Sequence, residues 1–186
     1  DHVFAGIPIG TGVLFGGRQV LPGGADTTRG DAWLLEPSKL HNDSVATWVR
    51  LNQMDYDATP GVPEAIPCPR TRAAMVWAGN STGSTVSLPG SLDSLAFFLF
   101  GGRDSLGNVL GDLWVGRVRR PASRVVGCCY HEIRDIAWQQ LLPDDPARAR
   151  FGHSMWFDPG NTNTQVPGAP YARLVIFGGQ IGDSTL

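Results

Sequence analysis

At 186 residues and 20.0 kDa, the chain has room for one domain or two small ones. With 42% hydrophobic and 17% charged residues it can bury a core, which excludes wholesale disorder. The net charge of −2 and the scatter of 14 Arg beside a single Lys39 argue against nucleic acid as a partner.

In chain order, short apolar runs alternate with stretches rich in Gly, Pro, Asp, Asn and Ser. His2-Val3-Phe4 opens the series, and Val13-Leu14-Phe15 follows, ending in Gly16-Gly17. Next come Gly30-Asp31-Ala32-Trp33 and Trp48-Val49-Arg50-Leu51. The series then restarts at Arg70-Thr71-Arg72-Ala73-Ala74-Met75. It continues through Phe97 to Phe100 with Gly101-Gly102, Gly111-Asp112-Leu113-Trp114 and Trp138-Gln139-Gln140-Leu141. A third round begins at Arg150-Phe151-Gly152-His153-Ser154-Met155 and reaches Leu174 to Phe177 with Gly178-Gly179. Gly16 to Gly101 is 85 residues and Gly101 to Gly178 is 77. Four words recurring in one order define an internal repeat.

Each word has strand length, and no long interval carries a helical period. The reading is all-β, with four antiparallel strands per repeat. The first begins near Arg70 and Arg150, the second ends at the Gly pair, the third carries Asp-x-Trp and the fourth carries Trp-x-x-Leu. The longest apolar run, Leu95 to Phe100, has six residues, far below the ~18 of a membrane-spanning helix, so no membrane insertion of this segment is expected.

These words resemble the kelch repeat, the four-stranded blade of a β-propeller. The run ending in Gly-Gly, the spaced aromatic on the third strand, the Trp on the fourth and Arg150 to Ser154 carry the likeness. Two features depart from it: the repeats exceed the family's period of roughly 50 residues, and Trp33 and Trp114 stand where Tyr is common. The resemblance implies about two and a half blades of a larger ring. They divide as residues 1–53, 54–142 with long insertions, and the partial blade 143–186. A ring needs more blades, so the segment is expected to belong to a larger protein, or to a propeller assembled from several chains.

Within that frame Trp33, Trp48, Trp114 and Trp138 are expected to fill the wedges between blades, each worth roughly 2 to 3 kcal/mol when buried. Arg70 and Arg150 are expected to bond backbone carbonyls between blades, and His153 to bond between blades from its strand. Asp31 and Asp112 read as turn residues.

The insertion after the second Asp-x-Trp word carries Arg117, Arg119, Arg120, Arg124 and Arg134, a local basic patch suited to an acidic partner. Its Cys128-Cys129-Tyr130-His131 lacks zinc-ligand spacing, and with Cys68 the three Cys do not form a disulfide scaffold. Asn42 and Asn80 head Asn-x-Ser/Thr sequons on one predicted face of the blades, where glycans would fit. Nucleophile-elbow, zincin and phosphate-loop motifs are missing from the sequence, so no catalytic, cofactor-binding or metal residue is nominated.

The resemblance therefore implies a protein–protein interaction or scaffold module rather than an enzyme. Its partners would be other proteins: cytoskeletal elements, ubiquitin-ligase substrates or members of a complex. An intracellular setting, cytoplasm or cytoskeleton, follows more readily than an extracellular one. Two other classes stand beside it: an enzymatic propeller acting on a sugar or other small molecule near the axis, and an extracellular adhesion or matrix propeller, which the sequons would suit.

Overall fold

The computed structural model describes residues 1–6, 12–37, 46–58, 65–80, 95–119, 135–158 and 172–182. These form eleven strands and no helix, so the all-β expectation holds for them. No helix among them is long and apolar enough to cross a membrane.

The strands fall into three rounds. β1 (Val3–Gly6), β2 (Gly12–Val20), β3 (Asp26–Pro37) and β4 (Ala46–Asp55) make a first antiparallel meander. The second consists of β5 (Arg70–Thr71), β6 (Ala74–Asn80), β7 (Leu95–Asp104), β8 (Val109–Arg119) and β9 (Asp135–Leu142). β5 and β6 both pair with β7 and act as one first strand, broken at Arg72, whose φ of 53° is left-handed. β10 (Phe151–Asp158) and β11 (Arg173–Gln180) form a separate antiparallel pair.

Register repeats as faithfully as sequence. Phe4 faces Leu14, which faces Trp33, and Leu35 faces Trp48. In the second meander Met75 faces Leu99, which faces Trp114, and Gly116 faces Trp138. Because side chains alternate along a strand, equal register assigns equal faces.

The faces pack in series. Ala5, Val13, Phe15, Ala32, Leu34 and Leu51 of the first meander form one buried core with Met75, Leu99, Trp114 and Trp138 of the second. The opposite face of the second meander, with Ala96, Phe98 and Val115, packs against Met155, Phe157 and Leu174 of the third pair. β6 lies between β1 and β10, so the first strands stand side by side.

The Gly pair belongs to this seam. Gly101 and Gly102 both have positive φ, 62° and 102°. A Cβ on Gly101 would stand 2.5 Å from the Arg150 carbonyl oxygen of the following round, and one on Gly102 would stand 2.7 Å from the Thr71 carbonyl oxygen of its own. The first glycine thus admits the next sheet and the second admits its own first strand, while the Gly102 N–H donates to the Arg150 carbonyl (2.8 Å). Gly16 meets the Arg70 carbonyl in the same way.

One connection was not legible in the sequence. β4 pairs with β3 only as far as Leu51, then runs parallel to β9 from Asn52 to Asp55, joining the first two meanders into a nine-stranded sheet. Side chains hold the switch: Asn52 Nδ2 donates to Asp135 Oδ1 (3.2 Å), Trp138 Nε1 to Gln53 Oε1 (2.9 Å), and Gln53 Nε2 to the Gly30 carbonyl (2.6 Å).

Candidate functional site

The densest polar constellation among the described residues lies where the second meander's first strand meets its third. Arg70 and Asp112 are buried and paired as a fork: Nη1 to Oδ1 at 2.6 Å and Nη2 to Oδ2 at 2.8 Å. Nη1 also donates to the Gly101 carbonyl and Nε to the Cys68 carbonyl, both at 3.1 Å. Trp114 Nε1 donates to Asp112 Oδ2 at 2.6 Å. Burial alone would push the Arg70 guanidinium down, but the hydrogen bonds and charge of Asp112, with smaller help from Cys68, outweigh it and raise its pKa. The Arg70 guanidinium therefore stays charged, and the cluster ties three strands together through the fork and its carbonyl contacts.

This arrangement corrects two expectations. Asp112 is a buried counter-ion, not a turn residue. The carbonyls that Arg70 reaches, at Cys68 and Gly101, belong to its own meander rather than to a neighbouring blade. The other rounds hold parts of the same cluster. Asp31 accepts from Trp33 Nε1 at 2.8 Å, and Arg150 donates to the Arg148 and Gly178 carbonyls at 3.3 and 3.5 Å.

His153 also departs from its expected role. Its ring is buried, edge-on to Phe100 of the second meander with centroids 5.3 Å apart, and neither ring nitrogen has a hydrogen-bond partner among the described residues. Burial, then the positive charge of Arg150, lowers its pKa from 6.5 to about 4. The histidine is neutral in the fold, so its stabilising contribution is complete above about pH 6.5. Between pH 6.5 and about 4 the unfolded chain takes up a proton that the folded one resists, and stability falls. Melting temperature should drop across that window, and His153→Gln should flatten the drop. Equal slopes for both proteins would refute this.

The tryptophans divide. Trp114 and Trp138 fill the first inter-sheet core, Trp33 is half-buried, and Trp48 is 46% exposed on the outer face of the first meander, T-shaped against Phe4. Arg117 lies within β8 and not in the insertion. It is buried, stacked 4.4 Å over the Tyr56 ring and bonded to Gln139 Oε1 at 3.1 Å, which removes it from any solvent-facing basic patch. Arg119 ends β8 and Asn80 ends β6, but their side chains fall outside the described residues. Arg120, Arg124, Arg134, Asn42 and the Cys128 to His131 word lie wholly outside them. Cys68 is free and exposed. Among the described residues no three His, Cys, Asp or Glu side chains gather into a metal-binding group.

The second surface of interest is apolar. The outer face of the first meander presents Phe4, Leu14, Trp33, Leu35 and Trp48, the register positions that the second meander buries as Met75, Leu99, Trp114, Gly116 and Trp138. At the other end Trp156, Val175 and Phe177, the last 80% exposed, occupy the positions that the first meander buries as Ala5, Val13 and Phe15. No protein-family model matches this chain, and no curated protein matches it either.

Proposed function

We propose that this chain is a segment of a kelch-type β-propeller, about two and a half blades of a larger ring, and that it works as a protein–protein interaction or scaffold module. The observation that carries this reading is the pair of open end faces. Each internal junction joins one face type to the other, and among the described residues each end of the stack leaves one type exposed. Exposed aromatic patches of this kind are surfaces for contact, and a ring of blades covers such faces while leaving its loops free for partners.

Two faces that are complementary but not identical make head-to-tail contacts. Light scattering should therefore find the isolated chain in concentration-dependent species heavier than 20.0 kDa. Trp48→Glu or Phe177→Glu, each charging one end face, should return it to the monomer mass. A wild-type chain at 20.0 kDa at every concentration would overturn the reading.

A further inference from the structure

A line of backbone hydrogen bonds joins the three rounds at equivalent residues. Asp1, Arg72 and Gly152 hold the same place, immediately before His2, Ala73 and His153. The Gly152 N–H donates to the Arg72 carbonyl at 2.9 Å, and the Arg72 N–H donates to the Asp1 carbonyl at 3.2 Å. Arg72 and Gly152 both take a left-handed backbone there, with φ of 53° and 65°. Glycine adopts that conformation without strain, and arginine does not. Among the described residues Arg72 is the one non-glycine residue with positive φ.

Its side chain returns little to the fold. It is 51% exposed, and its ion pair with Asp1 is 3.7 Å long between two groups that water reaches, a contact of small worth. Its guanidinium carbon stands 5.9 Å from the centre of the Phe151 ring, near the limit of that attraction. Backbone strain that packing does not explain clusters at ligand clamps and switch sites.

A second guanidinium meets the same ring. Arg103, next after Gly102 in β7, lies 4.2 Å over Phe151, which opens β10 and is buried at the junction of the second meander with the third pair. Thr71 pairs with Arg103 across β5 and β7, so strands on both sides of the junction fix the three residues. Stacking holds the flat face of a guanidinium and orients its donor edge. Carboxylates close by in the chain are directed elsewhere. Asp104 accepts from the Leu106 and Asn108 N–H groups and from Asn108 Nδ2, each at 2.8 Å, and Asp112 is forked onto Arg70.

We propose that Arg72 and Arg103, braced on Phe151, form a binding site for the phosphoryl group of a phosphorylated side chain on a partner polypeptide. A phosphoryl group carries about two negative charges and three acceptor oxygens, so it can take donors from two guanidinia at once. A carboxylate carries one charge, and Asp1 already offers Arg72 that much, so a ligand that displaces or joins it has to bring more. The proposal gives the interaction reading a partner chemistry, and rests on that reading for the partner being a protein. The site itself uses residues of one internal junction, where both packed sheets are in place.

The probe is a fluorescent peptide, Gly-Ala-Ser-Ala-Gly phosphorylated on its serine, titrated against the full chain by anisotropy. Saturable binding is expected, and the same peptide with glutamate in place of phosphoserine should bind roughly tenfold more weakly or worse. Arg72→Gly removes the guanidinium and the strain together, so it should melt no lower than the wild type while binding falls roughly tenfold. Arg103→Gln should weaken binding comparably, and Arg18→Gln, an exposed arginine of the first meander, should leave it within about twofold. If Arg72→Gly melts lower than expected, Arg103→Gln and the glutamate peptide against the unaltered chain still decide. Absence of saturable binding, a glutamate peptide that binds as tightly as the phosphopeptide, or an Arg72→Gly chain within about twofold of wild type overturns the proposal. This readout does not depend on the mass of the chain, so its failure is distinct from a failure of the light-scattering test of the end faces.

Discussion

Replacing Asp112 with Ala should cost about 3 to 5 kcal/mol of unfolding free energy, among the largest single-site losses available in this chain. The change strands a buried guanidinium at Arg70 and removes the acceptor of Trp114 Nε1 in one step. The magnitude comes from the uncompensated charge, not from the attraction of the pair, since desolvation consumes much of that attraction. Two controls separate these terms. The double change Arg70→Met with Asp112→Leu removes both charges and should recover most of the loss. It should fall short by about 1 to 3 kcal/mol, because the indole N–H stays buried without a partner. Asp26→Ala breaks a pair with Arg18 in which both side chains are well exposed, and should cost less than about 1 kcal/mol. Urea denaturation of the four proteins gives the ranking, and equal costs for Asp26→Ala and Asp112→Ala would refute the account of the cluster.

The second large effect is expected at Trp138. Its side chain is fully buried in the first inter-sheet core, edge-on to Phe15 at 5.3 Å, and its ring lies over Gly116, where a Cβ would stand 2.6 Å away. Trp138→Ala removes that packing and leaves Gln53 Oε1 without its donor, at a cost of about 3 to 5 kcal/mol. Trp48 holds the same place in the register of the first meander but faces outward, half-exposed. Trp48→Ala in the monomer should cost no more than about 1 kcal/mol, as a surface substitution does. Comparing the two by denaturant midpoint tests whether one repeated residue has two environments.

Much of the fold was legible because it is written in local pattern. The runs ending in Gly-Gly, the Asp-x-Trp words and their order specify strands and their succession, and the Gly pair has a local reason in the close approach at Arg150 and Thr71. The polar cluster was only half legible. Asp recurs two residues before Trp in both complete rounds, but its partner Arg70 lies 42 residues away and meets it only once β5, β7 and β8 are side by side. A short polar residue beside a turn reads the same whether it caps backbone or neutralises an arginine. The switch of β4 from β3 to β9 depends on Asn52, Gln53 and Asp135, which have no periodic signature. Burial was the least legible, since Trp48 and Trp138 are equivalent in sequence and differ only in whether a sheet lies against them.

That difference is also the most direct test of the central claim, that one sheet repeats in register and stacks face to face with its end faces open. Hydroxyl-radical footprinting of the wild-type chain, diluted until it is monomeric and read by mass spectrometry, reports the tryptophans in one sample. The account predicts protection at Trp114 and Trp138 with strong modification at Trp48 and Trp156. Equal modification of Trp48 and Trp138 would mean that the meanders do not stack, and would contradict it.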